Sequence, residues 1–261
     1  LFRPVGLKQH QELLTVAGWL ALLVGCVEYD LGMRAAAEAT RVAALQLATE
    51  GGNGEIAAWA WEMSAWFALT QGRYGQVVDA AQAGQATVGH RLAAVQLLAQ
   101  EAKARGRMGD LDGVHAVLDR GRRLLEQFPR PSHPEHHFMV DPDKWDFYAM
   151  DAYRLAGDDQ LARHHAEEVL RLGADEQGTE RAPMRMAEAR LTLGAVSARA
   201  GELEQAVDIA LAAFHARRRS LPSLLMVAKE VGDELRRRDP AGRPVLEFRD
   251  AVRQVSAVSA E

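Results

Sequence analysis

The densest run of chemistry-bearing side chains lies mid-chain, where His133, His136 and His137 precede Asp141, Asp143 and Asp146. Imidazoles and carboxylates are ordinary transition-metal ligands, but a site needs three or four of them to converge. His136 and His137 are adjacent and diverge on a regular helix, and no Cys or His-Glu-x-x-His element joins them. The segment therefore reads as a loop tucked onto neighbouring helices, with metal-dependent catalysis as the competing reading. His164 and His165, flanked by Arg163, Glu167 and Glu168, read as a solvated helix face. Gly51-Gly52-Asn53-Gly54 lacks the preceding strand and the Lys-Ser/Thr pair of a phosphate loop, and no Gly-x-Ser-x-Gly elbow occurs. The expectation is a non-enzymatic protein with no catalytic residues, no bound metal and no cofactor.

Whatever these residues do depends on the elements that carry them, and the composition points to helices. Of 261 residues 46 are Ala, 22 Gly and 9 Pro, and 48% are apolar. Alanine at that density, with abundant Leu, Arg, Glu and Gln, favours helix along most of the chain. The formal net charge of −5 argues against a dedicated nucleic-acid surface. Arg217-Arg218-Arg219 and Arg236-Arg237-Arg238 suit helix C-termini, where positive charge meets the dipole. One cysteine, Cys26, cannot form an internal disulfide, and no basic-then-apolar leader is evident, so a reducing cytoplasm is expected. No apolar run is expected to span a membrane, since Trp19 to Val27 soon meets Glu28 and Asp30.

Five turns recur at Gly32, Gly72, Gly109, Gly157 and Gly201, spaced by 40, 37, 48 and 44 residues. Periods in that range mark helical solenoids. If each glycine joins two helices of a hairpin, fixed offsets should hold small residues where helices cross. Seven before it stand Gly25, Ala65, Ala102, Met150 and Gly194. Five after it stand Ala37, Val77, Val114, Ala162 and Ala206, and twelve after it Ala44, Gly84, Gly121, Val169 and Ala213. Fourteen of the fifteen are Gly, Ala or Val, against 89 of 261 in the whole chain, which chance does not explain. The expected fold is all-α, a solenoid of about five hairpins over 1–238, with Leu221–Arg238 as a capping helix. A Pro-rich connector over 129–142 separates hairpins three and four. Gly173 to Pro183 reads as a mobile polar loop, and 239–261 as a tail ending in a weak helix.

In stacked hairpins the first helices line the concave surface, and offsets −13, −10, −6 and −3 from each glycine share one helical face. Reading them off, with neighbouring Gln100, gives Trp19, Trp59, Glu62, Trp66, Gln96, Gln100, Lys103, Lys144, Phe147, Asp151, Arg154 and Glu188 among the larger and polar side chains. All but Trp19 are the candidate ligand-binding residues. Rigid aromatic area beside polar groups suits binding hot spots. Lys144 and Asp151, two turns apart, could hold a zwitterionic ligand or a peptide. Equally, the tryptophans could fill hairpin cores and the charges could bridge neighbouring helices.

The repeats resemble the tetratricopeptide repeat, best in the fifth, with Leu193-Gly194, Gly201 and Ala206. More specifically, six stretches in one order are similar to the C-terminal region of actinobacterial helix-turn-helix regulators of the Xre/Cro type. These are GWLALLVGCVEYDLG (18–32), AWAWEMSAWFALTQGRY (58–74), VQLLAQEAKARGRMGD (95–110), HHFMVDPDKWDFYAMDAYR (136–154), PMRMAEARLTLG (183–194) and RRSLPSLLMVAKEV (218–231). The resemblance implies a tetratricopeptide-like sensor region that binds a peptide or small-molecule signal. It implies contact with DNA only through a helix-turn-helix domain, which is not found here because the first repeat begins by about Gln9. The chain starts at Leu1 rather than Met, which fits either an excised sensor region or a standalone relative. A protein–protein scaffold or homodimerisation module is the alternative role, and no membrane partner is expected.

Overall fold

The computed structural model describes residues 6–89, 91–129, 131–132, 137–140, 142, 144–215 and 220–257. Among them the protein is all-α. Twelve α-helices follow in order: α1 (Leu7–Asp30), α2 (Arg34–Gly51), α3 (Gly54–Thr70), α4 (Tyr74–Val88), α5 (Leu92–Arg107), α6 (Leu111–Leu125), α7 (Lys144–Ala156), α8 (Asp159–Gly173), α9 (Pro183–Ala200), α10 (Leu203–Ala212), α11 (Leu221–Arg238) and α12 (Arg243–Ala257). Each of the five expected glycines separates two consecutive helices, and each has positive φ, from +73° to +90°. A residue with a Cβ is strained in that left-handed conformation, so glycine ends the first helix and turns the chain. Helix starts are equally local: Asn53 Oδ1 accepts from the Ile56 amide (3.2 Å), and Asp158 Oδ1 from the Leu161 amide (3.0 Å). Pro183 and Pro222 occupy first turns, where a missing N–H costs nothing.

The helices pack mostly with their sequence neighbours, as helical hairpins do. Helix α1 packs on α2, α3 on α4, α7 on α8 and α9 on α10. Helix α6 is tied to α5 by Arg120, whose guanidinium lies 3.3 Å from Glu101. The chain clusters into two compact units. The first comprises Leu1–Met108 and Asp112–Asp141, the second Gly109–Leu111 and Pro142–Glu261. Within the first, α3 also packs on α1 and α5; within the second, α9 packs on α7 and α11.

All fifteen small-residue positions picked out by the turn spacing are buried. In the first hairpin an added Cβ on Gly25 would lie 2.8 Å from Met63 Cε and 3.5 Å from the Ala37 carbonyl oxygen. On Gly84 it would stand 2.7 Å from a Leu97 methyl and 2.9 Å from Trp61 Cβ. In the fifth hairpin, one on Gly194 would be 3.0 Å from both the Ala206 carbonyl oxygen and Ala210 Cβ. These helices approach so closely that only small side chains fit between them.

Several expectations change in detail. Residues 243–257 form α12, and Val245 and Phe248 enter the core of the second unit with Phe214, Leu224, Val231 and Leu235. The tail thus contributes packing because its apolar residues recur at helical spacing. The Gly173–Pro183 loop, expected to be mobile, is closed by a bridge between Ala174 and Glu180. Within it Asp175 Oδ1 accepts from the Gln177 and Thr179 amides at 3.0 and 2.8 Å. By length and composition, α1 does qualify to cross a membrane, with a mean hydropathy of 1.5 over its best window. Glu28 and Asp30 fall at its C-terminal end and leave the apolar run from Leu13 to Val27 unbroken. One face of α1 nevertheless packs on protein, burying Gly18, Leu22, Gly25, Cys26 and Tyr29.

The Gly194→Ala variant is expected to keep its helix content yet lose about 1–3 kcal/mol, because its new methyl meets backbone as well as a side chain. A thermal melt should move down by several degrees. An unchanged midpoint would contradict the tight α9–α10 crossing.

Candidate functional site

In the first unit two tryptophans of the expected stripe meet an aromatic from outside it. Trp19 on α1 and Trp59 on α3 converge on Phe138, with ring centroids 5.4 and 5.5 Å away. Phe138 belongs to the described non-helical residues 137–140, and Val140 is fully buried. The edge of the His137 ring meets Phe138 at 4.8 Å. Of the expected connector, Phe138 and Val140 thus lie against protein. His133, His136, Asp141 and Asp143 lie outside the described residues. Among the described residues no three His, Cys, Asp or Glu side chains gather as a metal-ligand set.

Next to the aromatics the stripe becomes polar. Glu62, one turn beyond Trp59, is buried and accepts hydrogen bonds from Gln96 Nε2 (3.0 Å) and Gln100 Nε2 (2.6 Å) on α5. The other amide atom of Gln100, Oε1, is buried without a hydrogen-bond partner among the described residues. Lys103 is buried one turn further on. Burial, the nearby Glu62 carboxylate and Asp30 together push the Cys26 thiol well above its ordinary range, so it stays protonated and unreactive. Trp59 donates from Nε1 to Glu55 (3.2 Å), and burial raises the pKa of Glu55 despite that bond. Trp66 is half-buried and packs edge-on to Tyr29 at 4.8 Å. Six of the expected residues, Trp59, Glu62, Trp66, Gln96, Gln100 and Lys103, thus fall on α3 and α5, and hydrogen bonds join Glu62, Gln96 and Gln100.

The sequence matches no family model, and no curated protein is significantly similar to it.

The remaining candidates lie in the second unit. Asp151 and Arg154 on α7 are each only 1% exposed. The Arg154 guanidinium donates to Asp151, to Thr192 Oγ1 on α9 (2.7 Å) and to Glu230 on α11 (2.7 Å). One planar cation thereby holds three helices, using the fixed fork of donors that only arginine supplies. Glu188 is buried on α9, one turn before Thr192. Lys144 and Phe147 are half-buried, and Phe147 packs near Met150, Ala166 and Val169. His165, expected on a solvated face, bonds Asp146 at 2.7 Å and stacks on Tyr153, while His164 is exposed.

Sequence reasoning missed three partners. Phe138 carried no helical periodicity to betray it. Glu230 lay on a helix read only as a cap. Glu101, on the opposite side of α5 from the stripe, gathers Gln82, Gln85, Arg105 and Arg120 around one buried carboxylate. Burial alone would raise the pKa of Glu101, but hydrogen bonds from Arg105, Gln85 and Gln82, with the Arg105 charge, outweigh it and lower the value.

Two outcomes follow. A carboxylate held below its unfolded pKa adds stability above that pKa, and the contribution vanishes as pH falls through the folded value. Glu101→Gln should therefore be less stable than wild type at neutral pH. The difference should shrink below pH ~4, and a constant offset in melting temperature across that range would refute the assignment. Arg154→Met removes the guanidinium from the buried Asp151 carboxylate, costing about 3–5 kcal/mol. The Asp151→Asn/Arg154→Met double variant should recover part of this loss, which chemical denaturation of the set would reveal.

Proposed function

We propose that this chain is a tetratricopeptide-like recognition module, the sensor part of a transcriptional regulator, whose first unit binds an extended peptide carrying an aromatic residue. The observation that carries the reading is Phe138 seated between Trp19 and Trp59. A non-helical stretch of chain thus lies against two tryptophans of the face that the repeat spacing suggests for a ligand. Rigid aromatic walls supply much of the affinity at low entropic cost, and adjacent polar groups set orientation. The bare Gln100 Oε1 supports the polar half, since a buried acceptor without a partner is costly until a donor such as a peptide N–H reaches it. In the solenoid reading the hairpins stack so that first helices share a concave face, and occupancy biases its curvature. Any DNA contact would come from a helix-turn-helix domain outside this sequence, as the resemblance to the Xre/Cro regulators implies.

The covalently attached segment competes with a free ligand at high effective concentration. A labelled peptide with the sequence of residues 131–144 should therefore bind Phe138→Ala protein at least about tenfold more tightly than wild type, a difference of ~1.4 kcal/mol. Adding Trp59→Ala should abolish that gain, with helix content checked by circular dichroism. Failure of folded Phe138→Ala protein to bind the peptide, or equal binding of a peptide lacking the phenylalanine, overturns the proposal.

A further inference from the structure

Helix α1 has a second face that its own unit leaves open. Leu13, Val16, Leu20, Leu23, Val24, Val27 and Leu31 are 44–66% exposed, although each is a large apolar side chain. Positions 13, 16, 20, 23 and 27 advance by three and four, the spacing that keeps a seam of side chains on one side of paired helices. The seam lies opposite Gly18, Leu22, Gly25, Cys26 and Tyr29, which α1 buries within its own unit. From Leu13 to Val27 no residue is charged.

The size of this patch separates it from ordinary surface apolarity. Seven side chains about half exposed amount to roughly 600–700 Å², above the ~300–600 Å² of the largest patch on a typical monomer. That is near the ~800 Å² each partner contributes to a standard interface. The charges flanking the seam differ at its two ends. Lys8 and Glu12 pair at the N-terminal end (3.9 Å), while Glu28 and Asp30 stand at the C-terminal end. An antiparallel arrangement keeps the two acidic C-terminal ends apart, and it also opposes the two helix dipoles. A parallel arrangement sets like charges together.

We propose that α1 is a self-association surface, covered by α1 of a second copy of this chain in an antiparallel, two-fold symmetric pair. A closed two-fold pair needs one patch that is complementary to itself, and an uncharged apolar seam of this size meets that condition. The two-fold axis passes close to Leu20, the midpoint between Leu13 and Val27. The proposal stands apart from the peptide reading, because Trp19 and Phe138 lie on another side of α1.

Sedimentation equilibrium of the purified chain across the micromolar range is expected to show a monomer–dimer equilibrium, weakened at least tenfold by Leu20→Glu/Val27→Glu. Both positions are exposed, so the variant should retain its helix signal and still bind the Phe138-containing peptide when Phe138→Ala is added. Orientation is read by oxidative crosslinking, with native Cys26 silent because it is buried. Leu20→Cys should form a disulfide-linked dimer, and Leu13→Cys should not. A wild-type chain that stays monomeric throughout, efficient self-crosslinking at position 13, or monomers binding phosphatidylcholine vesicles without dimerising would each overturn the proposal.

Discussion

The close approach of helices at residues with almost no side chain is the constraint on which the rest depends. Where Gly194 meets Ala206 and Ala210, the helices come near enough that one extra methyl would stand 3.0 Å from the Ala206 carbonyl oxygen and from Ala210 Cβ. The left-handed glycine at each hairpin turn fixes the phase of the crossing, because it ends one helix at a set distance from the small residue. The larger side chains are consequently forced to other faces of the same helices. Trp59, Glu62 and Trp66 on α3 stand where they do because Ala58, Ala65 and neighbouring small residues take up the tight contacts.

Buried polarity follows from that geometry. Helices that pack through alanine bring their backbones and polar stems close together. Charged groups trapped between them must then find partners over short distances. Arg154 does so with Asp151, Thr192 and Glu230, and Glu101 does so with three helices' worth of donors. Such clusters contribute little net stability compared with an apolar core, yet they penalise any displacement of the helices they join. They specify register more than they add strength. The stripe around Glu62 is different in kind, since it leaves Gln100 Oε1 unanswered next to an aromatic cradle that holds a piece of non-helical chain.

Helix α1 shows the opposite balance. Its inner face carries glycines and Leu22, Cys26 and Tyr29 against protein, whereas its outer face repeats large aliphatic residues toward solvent. Leucine and valine at that density on an exposed face add nothing to the fold of the unit that bears them. The hydrophobic effect instead makes their burial by a second copy favourable, in proportion to the area removed from water.

Local chemistry alone determined the helices and their turns in this protein. Alanine-rich composition, Gly32, Gly72, Gly109, Gly157 and Gly201, and the small residues at fixed offsets were legible because backbone conformation and close packing are dictated by residue type at short range. The polar stripe was legible as a set of positions for the same reason of helical period. Tertiary structure decided which partners those positions meet. That Glu62 holds Gln96 and Gln100, that Arg154 reaches Glu230 across 76 residues of chain, and that Phe138 lies on Trp19 and Trp59 are matters of distance between segments far apart in sequence. No periodicity encodes such meetings, because a side chain's direction follows from its own helix, whereas its neighbour depends on where every other helix has packed.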